Sequence, residues 1–325
     1  MGSTFSQLFP PNATLTEQNL PSQKGKVFIV TGGYSGVGYE LVTILFRAGG
    51  TVYVAGRSEA KAQECIKEIK ASVHDTSTAG HLEYLPLKLD DLSTIKASAE
   101  AFKAKEAKLD VLWNNAGVSL PPIGSVSTQE HELQMATNCL GPLLFTQLLL
   151  PSLQSAARES PPGSVRVVWT ASLVVDMNAP KGGIIMADLA SPPQDQTKNY
   201  VASKVGNWFL ASEMAREVNT SGILTVVTNP GQLKTNLLRH ASKWMRIAAS
   251  PLLHKAKMGA YTELWAGLSP ELTMENNGCY VMPWGRIHPS PRQDILDATK
   301  SKEEGGTGQA LEFQEWCNKQ IAGFM

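Results

Sequence analysis

Short apolar runs rich in β-branched residues alternate with helical segments along most of this chain of 325 residues. Each run is apolar throughout, which is typical of a strand that is covered on both faces. Regular alternation of strands with helices predicts an α/β fold, with a parallel sheet and helices on both of its sides. The predicted strands are Lys26–Gly32, Thr51–Arg57, Leu82–Leu89, Leu109–Gly117, Ser164–Ser172, Ile223–Gly231 and Gly278–Trp284, and the predicted helices are Gly38–Ala48, Glu59–Ser72, Leu92–Glu106, Thr128–Glu159 and Lys198–Thr220.

Composition argues against several classes of protein. The 29 basic and 29 acidic residues cancel, so nothing indicates a protein held to nucleic acid by bulk charge. The 4 cysteines stand far apart, and His240, His254 and His288 are scattered, so we expect free thiols in a reducing compartment and no metal site. Neither a secretory leader nor an apolar run that approaches a membrane span is evident. We therefore expect a soluble, cytoplasmic protein with no integral membrane span.

The first predicted strand runs into a glycine-rich turn, Thr31-Gly32-x-x-x-Gly36-x-Gly38, and then into a helix. Glycines permit the tight turn and let backbone N–H groups approach a pyrophosphate, while the helix N-terminus favours the negative charge. A loop that binds nucleoside triphosphates would need a lysine where Tyr39 stands. The turn therefore indicates a dinucleotide site, with an ordinary tight turn as the structural alternative.

The end of the second strand indicates which dinucleotide would bind. An NAD site places a carboxylate there to accept hydrogen bonds from the adenosine ribose, whereas the extra 2′-phosphate of NADP needs positive charge. This chain has Arg57 at that point and Lys61 one turn further on. Because the planar fork of an arginine matches a phosphate, we expect NADP, used as NADPH; a surface ion pair of Arg57 is the alternative.

Two reactive side chains follow the fifth strand on the segment NYVASKVGNW. The spacing of Tyr200 and Lys204 sets both on one face of a helix. A phenol, with a pKa of about 10, is a poor acid or base near neutrality. A nearby ammonium and an oxidised nicotinamide ring favour the phenolate and lower that pKa. Ser172, at the end of the fifth strand, could hold a substrate oxygen beside Tyr200.

Taken together, these motifs resemble the short-chain dehydrogenase/reductase family. The chain carries TGGYSGVG, NNAG from Asn114 to Gly117, Asn138 in ATNCLGPLLFT, Ser172 in WTAS, YVASK and NPGQLKT in the order of that family, over about residues 24–284. It is most similar to the NADP-linked retinol-dehydrogenase-like branch, through AGR after the second strand and the long stretch before YVASK, and within that branch to fungal members. The resemblance implies a Rossmann-type doubly wound sheet of seven parallel strands in the order 3-2-1-4-5-6-7.

The resemblance also assigns catalytic roles. It makes Tyr200 the acid or base at the carbonyl oxygen, and Lys204 the group that lowers the pKa of Tyr200 and holds the nicotinamide ribose. Ser172 would orient the carbonyl, and Asn138 would hold a water that links Lys204 to solvent. The structural alternatives are that Asn138 caps backbone groups inside its own helix and that Asn114 stitches neighbouring strands.

The residues that the resemblance implies for cofactor binding follow the ends of the strands. Where the family has an aspartate that meets the adenine, ungapped alignment places Lys88, and a small shift would let Asp90 serve. The expected set is Gly32, Ser35, Gly36, Val37, Gly38, Arg57, Lys61, Asp90, Asn115, Ala116, Gly117, Tyr200, Lys204, Pro230, Gly231, Leu233 and Thr235.

The rest of the chain is expected to complete a single domain. Residues 1–23 would form an N-terminal arm, and residues 24–325 one dehydrogenase/reductase domain with a C-terminal tail. The tail ends in a predicted amphipathic helix whose apolar face consists of Leu311, Phe313, Trp316 and Ile321. A basic amphipathic segment at about residues 236–262 is expected to be a lid over an apolar substrate pocket. Contact with a membrane surface, plain packing and an oligomer contact are its alternatives.

The expected function is that of an NADPH-dependent oxidoreductase. It would reduce a ketone or aldehyde of a fairly large apolar small molecule, a secondary metabolite or a lipid-like carbonyl compound, or run the reverse alcohol oxidation. The alternative is the same fold used as a non-redox catalyst such as a cyclase, or as a cofactor-bound binding protein. A monomer or a homodimer is expected. The helices before and after NYVASK often pair subunits in the family, whereas the long C-terminal tail could block them.

Overall fold

The computed structural model describes residues 2–73, 79–234 and 253–325. In this part of the chain, one eight-stranded sheet has the strand order β3-β2-β1-β4-β5-β6-β7-β8. The strands are β1 (Val27–Thr31), β2 (Thr51–Gly56), β3 (His81–Pro86), β4 (Val111–Asn114), β5 (Val165–Thr170), β6 (Ile223–Thr228), β7 (Tyr280–Met282) and β8 (Arg286–Ile287). Strands β1 to β7 are parallel in the predicted order. Strand β8 pairs antiparallel with β7; it was not predicted, because two residues are too few to show a pattern.

The helices lie between the strands and in the two terminal segments. They are α1 (Gly2–Leu8), α2 (Gly36–Arg47), α3 (Glu59–Ala71), α4 (Leu92–Lys103), α5 (Leu133–Met135), α6 (Gly141–Arg158), α7 (Val174–Asn178), α8 (Ala187–Ala190), α9 (Gln196–Val218), α10 (Ala256–Leu268), α11 (Gln293–Thr299) and α12 (Gln309–Ile321).

The single helix predicted for Thr128–Glu159 is wrong at its start and in its continuity. Before α5 the chain forms a turn, in which Glu130 has a φ of 61°, and Glu132 Oε2 caps α5 by accepting from the backbone N–H of Met135 at 2.7 Å. A π-helical turn, Ala136–Leu140, then separates α5 from α6. Such turns contain one extra residue, and the helical periodicity of the sequence does not reveal them.

The sheet is covered on both faces. Strands β1, β4, β5 and β6 are buried along their whole length. Ile29 and Val167 pack into the apolar core on the side of α4, α6 and α9, whereas Phe28 and Val168 pack into the core on the side of α2, α3 and α10. This two-sided burial explains why the strands are continuously apolar and not alternating.

The order of the strands creates a crevice at one edge of the sheet. From β1 the chain winds outward to β3, then returns to the other side of β1 and winds outward through β4 to β7. The connections that follow β1 and β4 therefore leave in opposite directions. In open α/β sheets, ligands bind at the carboxyl ends of the strands at this point of reversal.

One segment of the described chain is long and apolar enough to cross a membrane by length and composition. It is Leu133–Arg158, and 78% of its most apolar stretch is buried inside the fold. No apolar run that approaches the length of a membrane span was expected from the sequence. Burial against the sheet and α4 accounts for its apolar character, as in the core helix of a globular domain.

The C-terminal helix α12 packs against α9. The rings of Phe209 on α9 and Phe313 on α12 lie 6.1 Å apart in an edge-to-face arrangement. The prediction that Leu311 belongs to the apolar face is wrong, since this residue is 43% exposed. The face instead follows a spacing of three and four residues, which places Leu311 about a quarter turn away. Its buried members are Ala310, Phe313, Gln314, Cys317 and Ile321.

Candidate active site

One cleft of about 1000 Å³ brings most of the predicted site residues together at the carboxyl edge of the sheet. Gly38 and Asn138 lie behind its wall, and Thr235 lies outside the described residues. The predicted residues that line it are Gly32, Ser35, Gly36, Val37, Arg57, Lys61, Asp90, Asn115, Ala116, Gly117, Ser172, Tyr200, Lys204, Pro230, Gly231 and Leu233.

The glycine-rich turn between β1 and α2 brings the backbone to the edge of the cleft. Gly32 and Gly36 have φ angles of 66° and 55°, in the left-handed region that favours glycine. A Cβ on Gly38 would lie 2.5 Å from the carbonyl oxygen of Gly32 and 2.8 Å from Asn115 Nδ2, so a side chain has no room there. Within the described structure Ser35 makes no side-chain capping bond to α2. The first N–H groups of α2 are therefore available to an anion.

Positive charge stands at the end of the cleft beyond β2. Arg57 directly follows Gly56, so β2 ends without a carboxylate, and Lys61 lies in the first turn of α3. The Arg57 side chain is 59% exposed, and its Nη1 lies 3.5 Å from Asp90 Oδ2. The surface ion pair proposed as an alternative for Arg57 therefore exists. Because an exposed pair of this length is worth about 1 kcal/mol or less, a phosphate could replace Asp90 as the partner of Arg57.

The structure separates the two candidates for the adenine contact. Asp90 lines the cleft, and its side chain is 24% exposed. Lys88 turns instead toward the start of α4, where its Nζ lies 3.4 Å from Asp91 Oδ2. Asp90 is thus the carboxylate that faces the cleft, while its contact with an adenine stays a prediction.

The NNAG segment joins the ends of β1 and β4. Asn115 Nδ2 donates to the carbonyl oxygen of Thr31 at 2.8 Å, and the backbone N–H of Ala116 donates to Thr31 Oγ1 at 2.9 Å. Asn114 does not stitch strands as proposed, because its Nδ2 donates to Thr146 Oγ1 of α6 at 2.9 Å. These bonds hold residues 115–117 against the glycine-rich turn.

The reactive side chains meet where β5 and α9 come together. Tyr200 and Lys204 are 8% and 3% exposed, and Lys204 Nζ lies 5.7 Å from the centroid of the Tyr200 ring. Ser172 and Ser119 lie near the Tyr200 hydroxyl and lower its pKa. Lys204 Nζ donates to the carbonyl oxygen of Thr170, the last residue of β5, at 2.8 Å. The predicted serine, tyrosine and lysine are thus assembled in one place.

Burial dominates the acidity of Tyr200. It raises the pKa of Tyr200 to about 12, against a smaller lowering by hydrogen bonds with Ser172 and Ser119. Burial also lowers the pKa of Lys204 to about 8, because a low-dielectric surrounding disfavours the charged form of either group. The lowering of the Tyr200 pKa by Lys204, expected beside an oxidised nicotinamide, stays a prediction. At neutral pH the tyrosine is a neutral phenol that can donate a proton.

Asn138 lies within the π-helical turn and is 1% exposed. Its Oδ1 accepts from the backbone N–H of Val118 at 2.9 Å, and its Nδ2 donates to the Val118 carbonyl at 3.0 Å and to Ser203 Oγ at 2.9 Å. The side chain therefore does not cap its own helix, as the alternative proposed, but ties the loop after β4 to α9. Its amide atoms are all engaged, so a water held by this side chain stays a prediction.

The turn after β6 walls the same end of the cleft. Gly231 has a φ of 94°, and its backbone N–H donates to Asn229 Oδ1 at 3.0 Å. Leu233 is 8% exposed and forms a parallel bridge with His254. Residues 235–252, which include most of the predicted lid, lie outside the described residues. From Ala256 onward, the described end of that lid is helix α10, which packs against α2 as part of the scaffold.

The structure adds Ser119 to the residues that the sequence indicated. It lines the cleft and lowers the pKa of Tyr200. Its position two residues after Gly117, beyond the carboxyl end of β4, was a usable signal. The prediction stopped at Gly117 because no motif of its own surrounds the serine.

The N-terminal arm also reaches the carboxyl edge of the sheet. Gln7 on α1 is 1% exposed. Its Nε2 donates to Asp176 Oδ2 at 2.8 Å, and its Oε1 accepts from Asn229 Nδ2 at 2.9 Å. Because Asn229 also holds Gly231, the arm braces the turn that walls the cleft. Nothing in the local sequence marks Gln7, since its partners lie more than 160 residues away along the chain.

The flagged histidines have other partners than a metal. The ring of His254 packs edge-on against Trp284, and His288 Nε2 lies 3.3 Å from Asp176 Oδ2. His240 falls outside the described residues. Within residues 2–73, 79–234 and 253–325, no group of three histidine, cysteine, aspartate or glutamate side chains is arranged to hold a metal.

Replacement of Gln7 by alanine is expected to lower the free energy of unfolding by about 2–3 kcal/mol, because it leaves Asp176 and Asn229 buried with lost partners. Urea unfolding measures this loss, and limited proteolysis should show earlier cleavage within residues 2–23. Gln18→Ala, at an exposed position of the same arm, is the control and should change stability by less than about 0.5 kcal/mol. Equal stability of the two variants would contradict the bracing role.

Comparisons with known proteins agree with the fold. A family model described as short chain dehydrogenase matches residues 26–246. The short-chain dehydrogenase/reductase iacJ of Pestalotiopsis fici is 47% identical over 319 residues, which cover 97% of this chain and 96% of that protein.

Two solved structures share the fold at lower identity. An NADPH-bound carbonyl reductase from chicken fatty liver has a TM-score of 0.61 and 22% identity, over 82% of this chain and 99% of its own. A 3-ketoacyl-(acyl-carrier-protein) reductase from Brucella melitensis, complexed with NADH, has a TM-score of 0.60 and 23% identity, over 80% of this chain and 96% of its own. With the family match over most of its length, this chain belongs to the short-chain dehydrogenase/reductase family.

Proposed function

We propose that this protein is an NADPH-dependent reductase that converts a carbonyl group of a fairly large apolar molecule into an alcohol. The observation that carries the proposal is a single cleft with Ser172, Tyr200 and Lys204 at one end and Arg57 and Lys61 at the other. Membership of the family gives oxidoreductase activity with NAD(P) as the class of cofactor. The choice of NADPH and the nature of the substrate are inferred from the local residues.

The residues of the cleft fit a dinucleotide phosphate. Gly32 and Gly36 of the glycine-rich turn line the cleft, and because they carry no side chains the backbone there can approach the pyrophosphate. Arg57 and Lys61 would hold the 2′-phosphate, and Asp90 would meet the adenine. Lys204 would hold the nicotinamide ribose. When bound, NADPH supplies the hydride that reduces the carbonyl carbon.

The protein's own part in the reaction is to orient the carbonyl and to supply the proton. Ser172 and Tyr200, which line the cleft together, would both donate to the carbonyl oxygen. As negative charge develops on that oxygen, the neutral phenol of Tyr200 transfers its proton to it. The ammonium of Lys204, anchored on Thr170 at 2.8 Å, stabilises the phenolate that remains.

An apolar substrate is supported by the walls of the cleft beyond Ser172. Pro121, Pro122, Leu133, Val174 and Leu253 line this end. Apolar walls with a few polar groups that fix orientation are typical of sites for small organic ligands. No contact in the described residues favours the cyclase-like or binding-protein alternative, since the four residues of the redox machinery meet in one region.

Finer assignments of branch, organism type, pathway and location are part of the same proposal. AGR after β2 supports placement in the NADP-linked retinol-dehydrogenase-like branch, and the relative from Pestalotiopsis fici supports a fungal type of enzyme. We further propose a role in secondary metabolism. We also propose a cytoplasmic location, which the four free cysteines support because thiols stay reduced there. The oligomeric state stays a prediction; α12 covers part of α9, a helix that pairs subunits in many family members.

Replacement of Arg57 by aspartate is expected to weaken NADPH binding by about 30-fold or more, because charge-assisted hydrogen bonds to the 2′-phosphate are lost and a repulsion is added. NADH lacks that phosphate, so its affinity should change by less than about threefold. Fluorescence titration measures both dissociation constants. Arg158→Asp, at an exposed position away from the cleft, is the matched control. Equal losses for the two cofactors would assign Arg57 a merely structural role.

Replacement of Tyr200 by phenylalanine is expected to lower kcat for ketone reduction by at least about 100-fold, because the proton donor is removed. NADPH affinity should stay within about threefold of the wild type, since the Lys204 anchor does not involve the hydroxyl. Spectrophotometry of NADPH oxidation with a panel of apolar ketones measures the rates. Tyr53→Phe, whose hydroxyl hydrogen-bonds with Glu106 away from the cleft, is the control. Full turnover by the Tyr200 variant would contradict the assignment of Tyr200 as the proton donor.

A further inference from the structure

Behind the reactive residues, on the opposite face of the sheet, lies a buried carboxyl group that no motif indicates. Glu263 on α10 has an exposed fraction of 0%. Its Oε1 accepts hydrogen bonds from Thr170 Oγ1 and from Thr228 Oγ1, both at 2.9 Å. Its backbone carbonyl accepts from the indole N–H of Trp113 at 2.8 Å. The side chain is thus fixed from β5 and β6, and the backbone of the same residue from β4.

The two threonines are the last residues of β5 and β6 and stand opposite each other in the sheet. Ser172 follows Thr170 by two residues, and Pro230 follows Thr228 by two. One carboxyl oxygen therefore clamps together the strand ends from which the serine of the site and the turn that walls the cleft both emerge.

Thr170 connects this clamp to the lysine. Its hydroxyl bonds Glu263 on one face of the sheet, while its carbonyl oxygen accepts from Lys204 Nζ and from Asn207 Nδ2, both at 2.8 Å, on the side of α9. A change in the position of Thr170 therefore moves the anchor of Lys204. Because Tyr200 lies one helical turn from Lys204, the tyrosine would move with it.

The second carboxyl oxygen of Glu263, Oε2, bears on the charge of the group. Among the described residues Oε2 has no hydrogen-bond partner, although it is buried. An unpaired carboxylate oxygen in the interior is unfavourable unless the group is protonated or a cation is near. Lys204 is the charged group that acts on this carboxyl from the elements around it, and Glu263 in turn raises the pKa of Lys204.

These opposing influences bring the titration of Glu263 to neutral pH. Burial raises its pKa to about 7, against lowering by the hydrogen bonds of Thr228 and Thr170 and by Lys204. An amide at this place would accept the same two threonine bonds. What the acid adds is an ionisable proton close to Lys204.

We propose that Glu263 is a positioning residue of the active site: it clamps the strand ends that carry Ser172 and Pro230, and its carboxyl group helps Lys204, anchored on the same Thr170, to remain an ammonium. The link to catalysis rests on the proposed function, whereas the clamp and the titration do not. Two kinds of measurement therefore separate a failure of this inference from a failure of the proposed function.

The first measurement is thermal unfolding from pH 5 to pH 8 of the wild type, Glu263→Gln and Glu312→Gln, the last an exposed control on α12. Burial raises the pKa of this carboxyl to about 7 in the folded protein, from an ordinary value of 4.5, so its proton stabilises the fold at low pH. That stabilisation is lost as pH rises through 7. The Tm of Glu263→Gln should therefore rise relative to the wild type between pH 5 and pH 8, while the difference for Glu312→Gln should stay constant.

The second measurement is NADPH binding by fluorescence from pH 7 to pH 10. Without the carboxylate, Lys204 should lose its proton at lower pH, so the alkaline loss of affinity in Glu263→Gln should begin about half a pH unit or more earlier. Thr228→Val removes one clamp bond but keeps the acid. It should lower kcat several-fold without moving the alkaline loss of NADPH affinity.

Superimposable pH curves for the wild type and Glu263→Gln in both measurements would overturn the inference. A wild type that binds no NADPH at any pH would overturn the proposed function and the link to the reaction. The unfolding curves would then still decide whether Glu263 titrates within the sheet.

Discussion

The hydrogen bond from Lys204 Nζ to the carbonyl oxygen of Thr170, at 2.8 Å, joins helix α9 to the end of the central strand β5. A charged donor on a buried backbone acceptor is among the stronger hydrogen bonds of a protein. It fixes the lysine, and it fixes Tyr200 one helical turn away. Ser172 lies two residues after Thr170. The serine, the tyrosine and the lysine of the site therefore all depend on where this one strand ends.

The sequence predicted those parts of the molecule that local patterns encode. Continuous apolar runs predicted strands β1 to β7, and the family resemblance predicted their order. The glycine-rich turn, Arg57 and the spacing of Tyr200 and Lys204 marked residues that meet in the cleft. Contacts between distant segments could not be predicted in this way. Gln7 reaches the site through partners more than 160 residues away, and Glu263 acts from the opposite face of the sheet. Leu311 was misassigned because it is apolar like the residues of the buried face, although it lies one position off their spacing of three and four residues.

Proton states were the other part that the sequence did not reveal. Reading Tyr200 and Lys204 as a pair considers only the attraction between a phenolate and an ammonium. The fold adds the loss of water around both groups, which raises the pKa of Tyr200 to about 12 and lowers that of Lys204 to about 8. Desolvation depends on what covers a residue in three dimensions, so no spacing along the chain reports it. The result is a proton donor at neutral pH, which suits reduction of a carbonyl better than oxidation of an alcohol.

The central claim is that Tyr200 works as a neutral phenol in a carbonyl reductase, and the pH dependence of kcat in both directions tests it most directly. Reduction with NADPH should proceed at a nearly constant rate from pH 6 to pH 7, because Tyr200 stays protonated and Lys204 stays an ammonium. Oxidation of the product alcohol with NADP should speed up as pH rises, because it needs the phenolate. An oxidation rate that falls with rising pH, or a reduction rate that grows with it over this range, would contradict the account.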